Sequence, residues 1–237
     1  ATTEIYTLSL HDALPICRIA QHMFEQLFAF DAEFDVRPML AESYEINEDG
    51  TMYTIELRQG VPFHNGKEMT SEDVVASLLR WGRVASRGAT AFRYITEVEA
   101  LGPYTVALHL NEPFAPLMSF LAFQNTAASI FPKEIAEKYP NAPIAEYIGT
   151  GPYKFDHWQA DYRIRLVRFD DYASRDDEAS GWAGQKITYL DAVEFYAVPE
   201  LLPAKPVSKP VIIMSERSLT AKLIMNWTWI LPLTPTS

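Results

Sequence analysis

Five histidines, His11, His22, His64, His109 and His157, are the obvious candidates for metal chemistry in this 237-residue chain. Zinc sites draw on histidines four apart on a helix, or on histidines beside paired cysteines. None of the five stands at that spacing, and Cys17 has no second thiol to join it. The pattern predicts structural or surface histidines and no metal. Acidic pairs occur at Glu97/Glu99, Asp170/Asp171 and Asp176/Asp177. Carboxylates so close together in a polar segment read as solvated faces, not as an acid–base couple. There is no G-x-S-x-G elbow and no Walker loop. Gly149-Thr150-Gly151 has the look of a phosphate cradle, but Pro152 removes one of the amides a cradle would use. The chemistry-bearing residues therefore predict neither an enzyme nor a cofactor.

The bulk properties narrow the remaining classes. A net charge of −11 argues against nucleic acid, whose phosphates require clustered Lys and Arg. Hydrophobic content of 48% with 22% charged residues is that of a globular protein. No run of 18 apolar residues appears. Leu14-Pro15-Ile16-Cys17 has the outline of a lipoprotein cleavage site. Ile16 is too large for the position before the cysteine, and no basic segment or apolar core precedes it, so Cys17 reads as incidental.

The elements that would position a site alternate between strands and helices. Apolar residues at Ile19, Met23, Phe24, Leu27 and Phe28 have helical spacing over Cys17–Phe30. Asp49-Gly50 predicts a hairpin between strands 43–46 and 53–57, with Tyr53, Ile55 and Leu57 facing the core. Thr70 predicts a helix cap, followed by Glu72 and Asp73 at the positive end and an apolar stripe of Val74, Val75, Leu78 and Leu79. Strands are expected at 94–101, 104–110, 153–158, 163–169 and 190–198. Residues 117–123 form a short apolar helix or strand, and Pro132 opens a helix. This order predicts an α/β or mixed α+β fold.

Two blocks carry a family resemblance. Residues 40–79, LAESYEINEDGTMYTIELRQGVPFHNGKEMTSEDVVASLL, and Ile148-Gly149-Thr150-Gly151-Pro152-Tyr153-Lys154-Phe155 resemble signatures of the family 5 solute-binding proteins. Phe24-Glu25-Gln26-Leu27 and Asp170-Asp171-Tyr172 match weaker patterns of the same family. The resemblance implies an incomplete type II periplasmic-binding-protein-like lobe over residues 17–200. It implies the solute-binding component of an ABC importer for peptides or similar small solutes, delivering to permease subunits outside the cytoplasmic membrane, with no export signal in this chain. Two segments are implied as ligand contacts: Ala91-Phe92-Arg93-Tyr94, with Phe92, Arg93 and Tyr94 as a wall, and Phe123-Gln124-Asn125-Thr126, with Gln124 and Asn125 as polar contributors. In a lone lobe that wall is expected to stand open to solvent. The dipeptide, oligopeptide, nickel, haem and opine classes stay open, as do a non-functional gene fragment and a hydrolase.

The ends depart from this pattern. Residues 1–16 contain EIYTLSLHDALPI, which resembles translated sequencing-adapter DNA and is expected to add little stability. Residues 201–237 begin with closely spaced Pro203, Pro206 and Pro210 and carry a net charge of +3, leaving −14 on the remainder. They are expected to be a non-family tail.

Overall fold

The computed structural model describes residues 18–160, 162–198, 211–215 and 218–226. The expectation for residues 1–16 lies outside that range, as does the proline-rich start of the tail. The chain divides into two compact units: one comprises Gln21–Lys154 and Phe169–Ile187, the other Ala1–Ala20, Phe155–Arg168 and Thr188–Ser237.

The first unit is built on a four-stranded antiparallel sheet. In chain order its strands are β3 (Ala41–Ile46), β4 (Met52–Leu57), β5 (Ile95–Gly102) and β6 (Thr105–Leu110), arranged β3-β4-β6-β5. A two-stranded ribbon, β1 (Phe28–Phe30) and β2 (Val36–Pro38), precedes it. Four helices follow the chain: α1 (Ser71–Val84), α2 (Ser86–Ala91), α3 (Leu117–Ala122) and α4 (Lys133–Lys138). The class is mixed α/β, as the alternation predicts.

Tyr53, Ile55 and Leu57 are all buried, so the period-2 reading of β4 holds. Gly50 turns the hairpin at φ +67°, and Asn47 completes it. The Asn47 Oδ1 accepts from the amides of Thr51 (2.9 Å) and Met52 (3.0 Å). A β-branched residue at Gly50 would carry a positive-φ penalty of about 1–3 kcal/mol. Its Cβ would also lie 3.3 Å from Pro113 Cβ. Gly50→Val is expected to lower the urea-unfolding free energy by that amount.

The helix α1 starts at Thr70 with a capping box. Asp73, fully buried, accepts from the Thr70 amide (2.9 Å), from Lys67 Nζ (2.7 Å) and from the Lys133 amide (2.7 Å). A buried carboxylate with this many donors is stable because each lone pair lost from water is replaced. The buried stripe is Ser71, Val74, Ser77, Leu78 and Trp81, while Leu79 is exposed and Val75 only half-buried. Leu79 sits one residue, about 100°, off the line of Leu78 and points away from the sheet.

Cys17–Phe30 is not one helix. A helical turn covers 18–20, and Phe28–Phe30 is strand. The Asp31 carboxylate diverts the chain. Its Oδ1 accepts from the amides of Glu33 and Asp35, and Arg37 donates to Oδ2 at 2.7 Å. Arg37 beside Asp31 also holds that carboxyl below the usual range. The reversal folds β1 onto β2, with Phe34 at φ +67° and 80% exposed at its tip.

The second unit is described through its strands. β7 (Tyr153–Gln159), β8 (Arg163–Arg168), β9 (Ala192–Val198), β10 (Val211–Ser215) and β11 (Ser218–Asn226) form a sheet in the order β10-β11-β9-β8-β7. β11 runs parallel to β9, and the other described pairs are antiparallel. Part of the expected tail is thus strand, paired to β9. In β8 and β9, Leu166, Val193 and Phe195 are buried, and Arg163 pairs with Glu194 at 2.9 Å.

Candidate functional site

The two signature blocks meet at His64, and the second of them wraps Glu25. Gly149 and Gly151 pass directly against residues 22–24. A Cβ at Gly149 would lie 2.2 Å from the Met23 carbonyl oxygen, and one at Gly151 would lie 2.7 Å from that of His22. Close backbone approach is what these glycines provide. The Gly151 amide then donates to Met23 O at 2.9 Å, and the Tyr153 amide to His22 O at 3.0 Å. Between the glycines, Thr150 donates to Glu25 Oε2 at 3.1 Å. Tyr172 and Lys186 donate to Glu25 Oε1, each at 2.8 Å. The Glu25 side chain is only 2% exposed. Burial, and then the neighbouring Glu25 charge, push the Tyr172 hydroxyl pKa well up, so it stays a donor. The glycine motif is therefore a latch around a buried carboxylate, with the Gly149 and Gly151 amides engaged by His64 and Met23.

His64 closes the other side of the latch. Its Nε2 lies 2.9 Å from the Gly151 carbonyl, its Nδ1 accepts from the Gly149 amide at 3.3 Å, and its ring meets Phe169 edge-on. Burial is the leading cause holding its pKa below the ordinary value. Below about pH 6.5 the unfolded chain takes up a proton before the folded chain does. The stabilisation is therefore complete above that pH and is lost as pH falls through the folded value. Urea midpoints measured from pH 7.5 to 4.5 are expected to fall more steeply for the wild type than for His64→Gln.

A cavity of about 300 Å3 opens beside this hub, lined among others by Glu25, Gln26, Gln124, Trp182 and Lys186. Gln26 is held by the Leu121 and Phe123 carbonyls, 3.1 and 2.8 Å away. Trp182 is 48% exposed and sits on a loop bent by Gly181 (φ +58°) and Gly184 (φ +80°). That loop is fixed at its start. Arg58 donates to the Ala173 and Ser174 carbonyls, and Arg175 to those of Met39 and Ala41. An exposed indole on an anchored loop, with amide and ammonium groups nearby, suits a small polar solute with some apolar surface.

The residues predicted as ligand contacts separate. Gln124 lines the cavity. Asn125 is exposed, and its main-chain and side-chain oxygens accept from Arg87 Nη1 at 3.0 and 2.7 Å. Phe92 is half-buried, with its ring against Gly82 of α1. Tyr94 is also half-buried, stacked on Phe114 at 4.2 Å. Both pack against the main core and neither lines this cavity, so the two rings do not stand fully open to solvent. Arg93 is exposed. The sequence reading missed Trp182, whose flanking glycines were the available signal, and Arg87. The Arg87 guanidinium lies 3.9 Å from the Phe123 ring centroid and also donates to Thr126 Oγ1 at 2.9 Å. Thr126 adopts φ +55°, costing about 1–3 kcal/mol. The Trp81 indole, donating to its carbonyl at 2.8 Å, helps hold it there.

Comparison with known proteins gives this arrangement its family. Residues 35–203 match the model of bacterial extracellular solute-binding proteins, family 5 middle. The chain is 31% identical over 173 residues to the probable peptide ABC transporter periplasmic-binding protein y4tO of Sinorhizobium fredii, covering 72% of this chain and 32% of that protein. It is 33% identical over 156 residues to the glutathione-binding protein GsiB of Escherichia coli K12, covering 65% and 30%. Among solved structures it resembles AgaA of A. tumefaciens R10 bound to agropinic acid, with TM-score 0.65, 28% identity and coverage of 76% and 34%. It likewise resembles DppA of Helicobacter pylori bound to the peptide STSA, with TM-score 0.60, 28% identity and coverage of 75% and 37%. The chain spans about a third of the length of these relatives. With the two signature blocks joined through His64 and the family match running through both, the chain belongs to the bacterial extracellular solute-binding proteins of family 5.

Proposed function

We propose that this chain forms part of the solute receptor of an ABC importer, with residues 17–200 supplying the first lobe and residues 201–237 standing outside the family pattern. The receptor captures a short peptide, or an amino-acid-derived solute of similar size, outside the cytoplasmic membrane and hands it to permease subunits. It binds its solute and does not transform it. The observation that carries this reading is the polar and aromatic surface around segment 123–126. Gln124 and Trp182 line one cavity there, and Arg87 is fixed on Phe123. The named ligands of the relatives, a peptide, glutathione and agropinic acid, favour solutes of this kind. No helix among the described residues is long and apolar enough to cross a membrane, which fits a receptor that works beside one.

Incubating the chain with a pool of tri- to pentapeptides, followed by mass spectrometry of the bound and free fractions, tests this. Intact peptides retained by the chain are expected. Cleaved products appearing at the rate of an enzyme would favour the hydrolase reading instead.

A further inference from the structure

We infer that Arg87 sets specificity at this surface by receiving a carboxylate of the solute on its free Nε–Nη2 edge. The inference deepens the receptor reading above and rests on it. The Arg87 side chain divides its contacts between one nitrogen and one face. One nitrogen, Nη1, makes all its hydrogen bonds within the chain: to Asn125 O (3.0 Å), Asn125 Oδ1 (2.7 Å) and Thr126 Oγ1 (2.9 Å). Phe123 covers one face of the guanidinium at 3.9 Å. Among the described residues no carboxylate comes within ion-pairing distance of it, and neither Nε nor Nη2 has a hydrogen-bond partner. Arg37, Arg163, Arg165, Arg168 and Arg175 each pair with an acid of the chain, whereas Arg58 and Arg80, like Arg87, have no acid partner among the described residues and donate to chain carbonyls.

The positioning of this cation is itself constructed. Gly88 lets α2 lie directly on the end of α1, where a Cβ would stand 2.1 Å from the Trp81 carbonyl oxygen. Trp81 in turn fixes Thr126 in its left-handed conformation, and Thr126 fixes Arg87. A guanidinium held at one nitrogen and one face can still present two parallel N–H groups, the geometry that suits two carboxylate oxygens. Preorganisation of this kind spares the side-chain ordering cost on binding. The net charge of −11 disfavours multiply charged anions and favours a zwitterion or monoanion over phosphate.

The test is a nitrogen-15 NMR titration of the full chain, following the Arg87 Nε–H signal, assigned by its absence in Arg87→Met. Trialanine is expected to move that signal saturably. Its C-terminal amide is expected to act at least ten-fold more weakly, and inorganic phosphate more weakly than trialanine. In Arg87→Met the acid-over-amide preference is expected to vanish, while the Trp81 indole signal keeps its position and reports that the loop is intact. A silent Arg87 signal, an equal response to the amide, or a stronger response to phosphate would overturn the inference. If trialanine still moves signals near Gln124 and Trp182, only the Arg87 assignment fails. If it moves nothing, the receptor reading fails with it.

Discussion

Glu25→Ala is expected to destabilise the first unit by about 3–5 kcal/mol, the range for breaking a buried ion pair by removing one partner. Three donors converge on this carboxylate: Thr150, Tyr172 and Lys186. Alanine leaves the Thr150 and Tyr172 hydroxyls without their acceptor and Lys186 without its counter-charge. It also cuts the tie between the segment ahead of β1 and the glycine latch, which is why the loss should exceed that of an ordinary surface pair. Lys186→Met is the informative partner. Lys186 is 30% exposed, and the two hydroxyls still solvate Glu25 in that variant. A loss of roughly 1.5–3 kcal/mol is expected there, because a hydrogen bond to a buried charge is removed while the carboxylate keeps two donors. Urea denaturation of both variants checks the order. Equal losses would mean that Glu25 acts only through its lysine.

The second large effect is steric. Gly149→Ala places a Cβ 2.2 Å from the Met23 carbonyl oxygen and 2.5 Å from the Phe24 ring. Neither neighbour is the far end of a flexible chain, so the latch must open or residues 22–24 must shift. A loss of about 3 kcal/mol is expected, at the upper end for overpacking. Gly102→Ala is the control, since its added Cβ meets nothing closer than Thr105 Oγ1 at 3.9 Å. Melting temperatures should separate the two clearly. A Gly149→Ala chain as stable as the control would show that this close approach is not required.

Much of the first unit was legible because its signals are local. The alternation of Tyr53, Ile55 and Leu57, the turn at Gly50 and the cap at Thr70 each act within a few residues. Where local periodicity misled, a side chain had intervened. Ile19 to Phe28 matches a helical face, yet the Asx-type reversal at Asp31 turns Phe28–Phe30 into strand. The site was less legible because its contacts are long-range. Gln124 and Asn125 were expected through family resemblance, and of the two only Gln124 lines the cavity. Nothing local in the sequence marks Arg87. Its role depends on Asn125 and Thr126, brought to it from 38 and 39 residues away. Glu25 has the same character, since its donors come from 125 to 161 residues along the chain.

As part of the receptor proposed above, this chain carries one side of a solute-binding surface. A clamp that desolvates its ligand from two sides loses most of its affinity when only one side is present. Calorimetric titration of the chain with tri- to pentapeptides is therefore the most direct measurement. Real but weak binding is expected, with Kd on the order of 100 µM or higher. Sub-micromolar binding that disappears on Phe92→Ala would contradict it, because a complete site would then exist within residues 17–200, centred on a ring that the structure packs against the core.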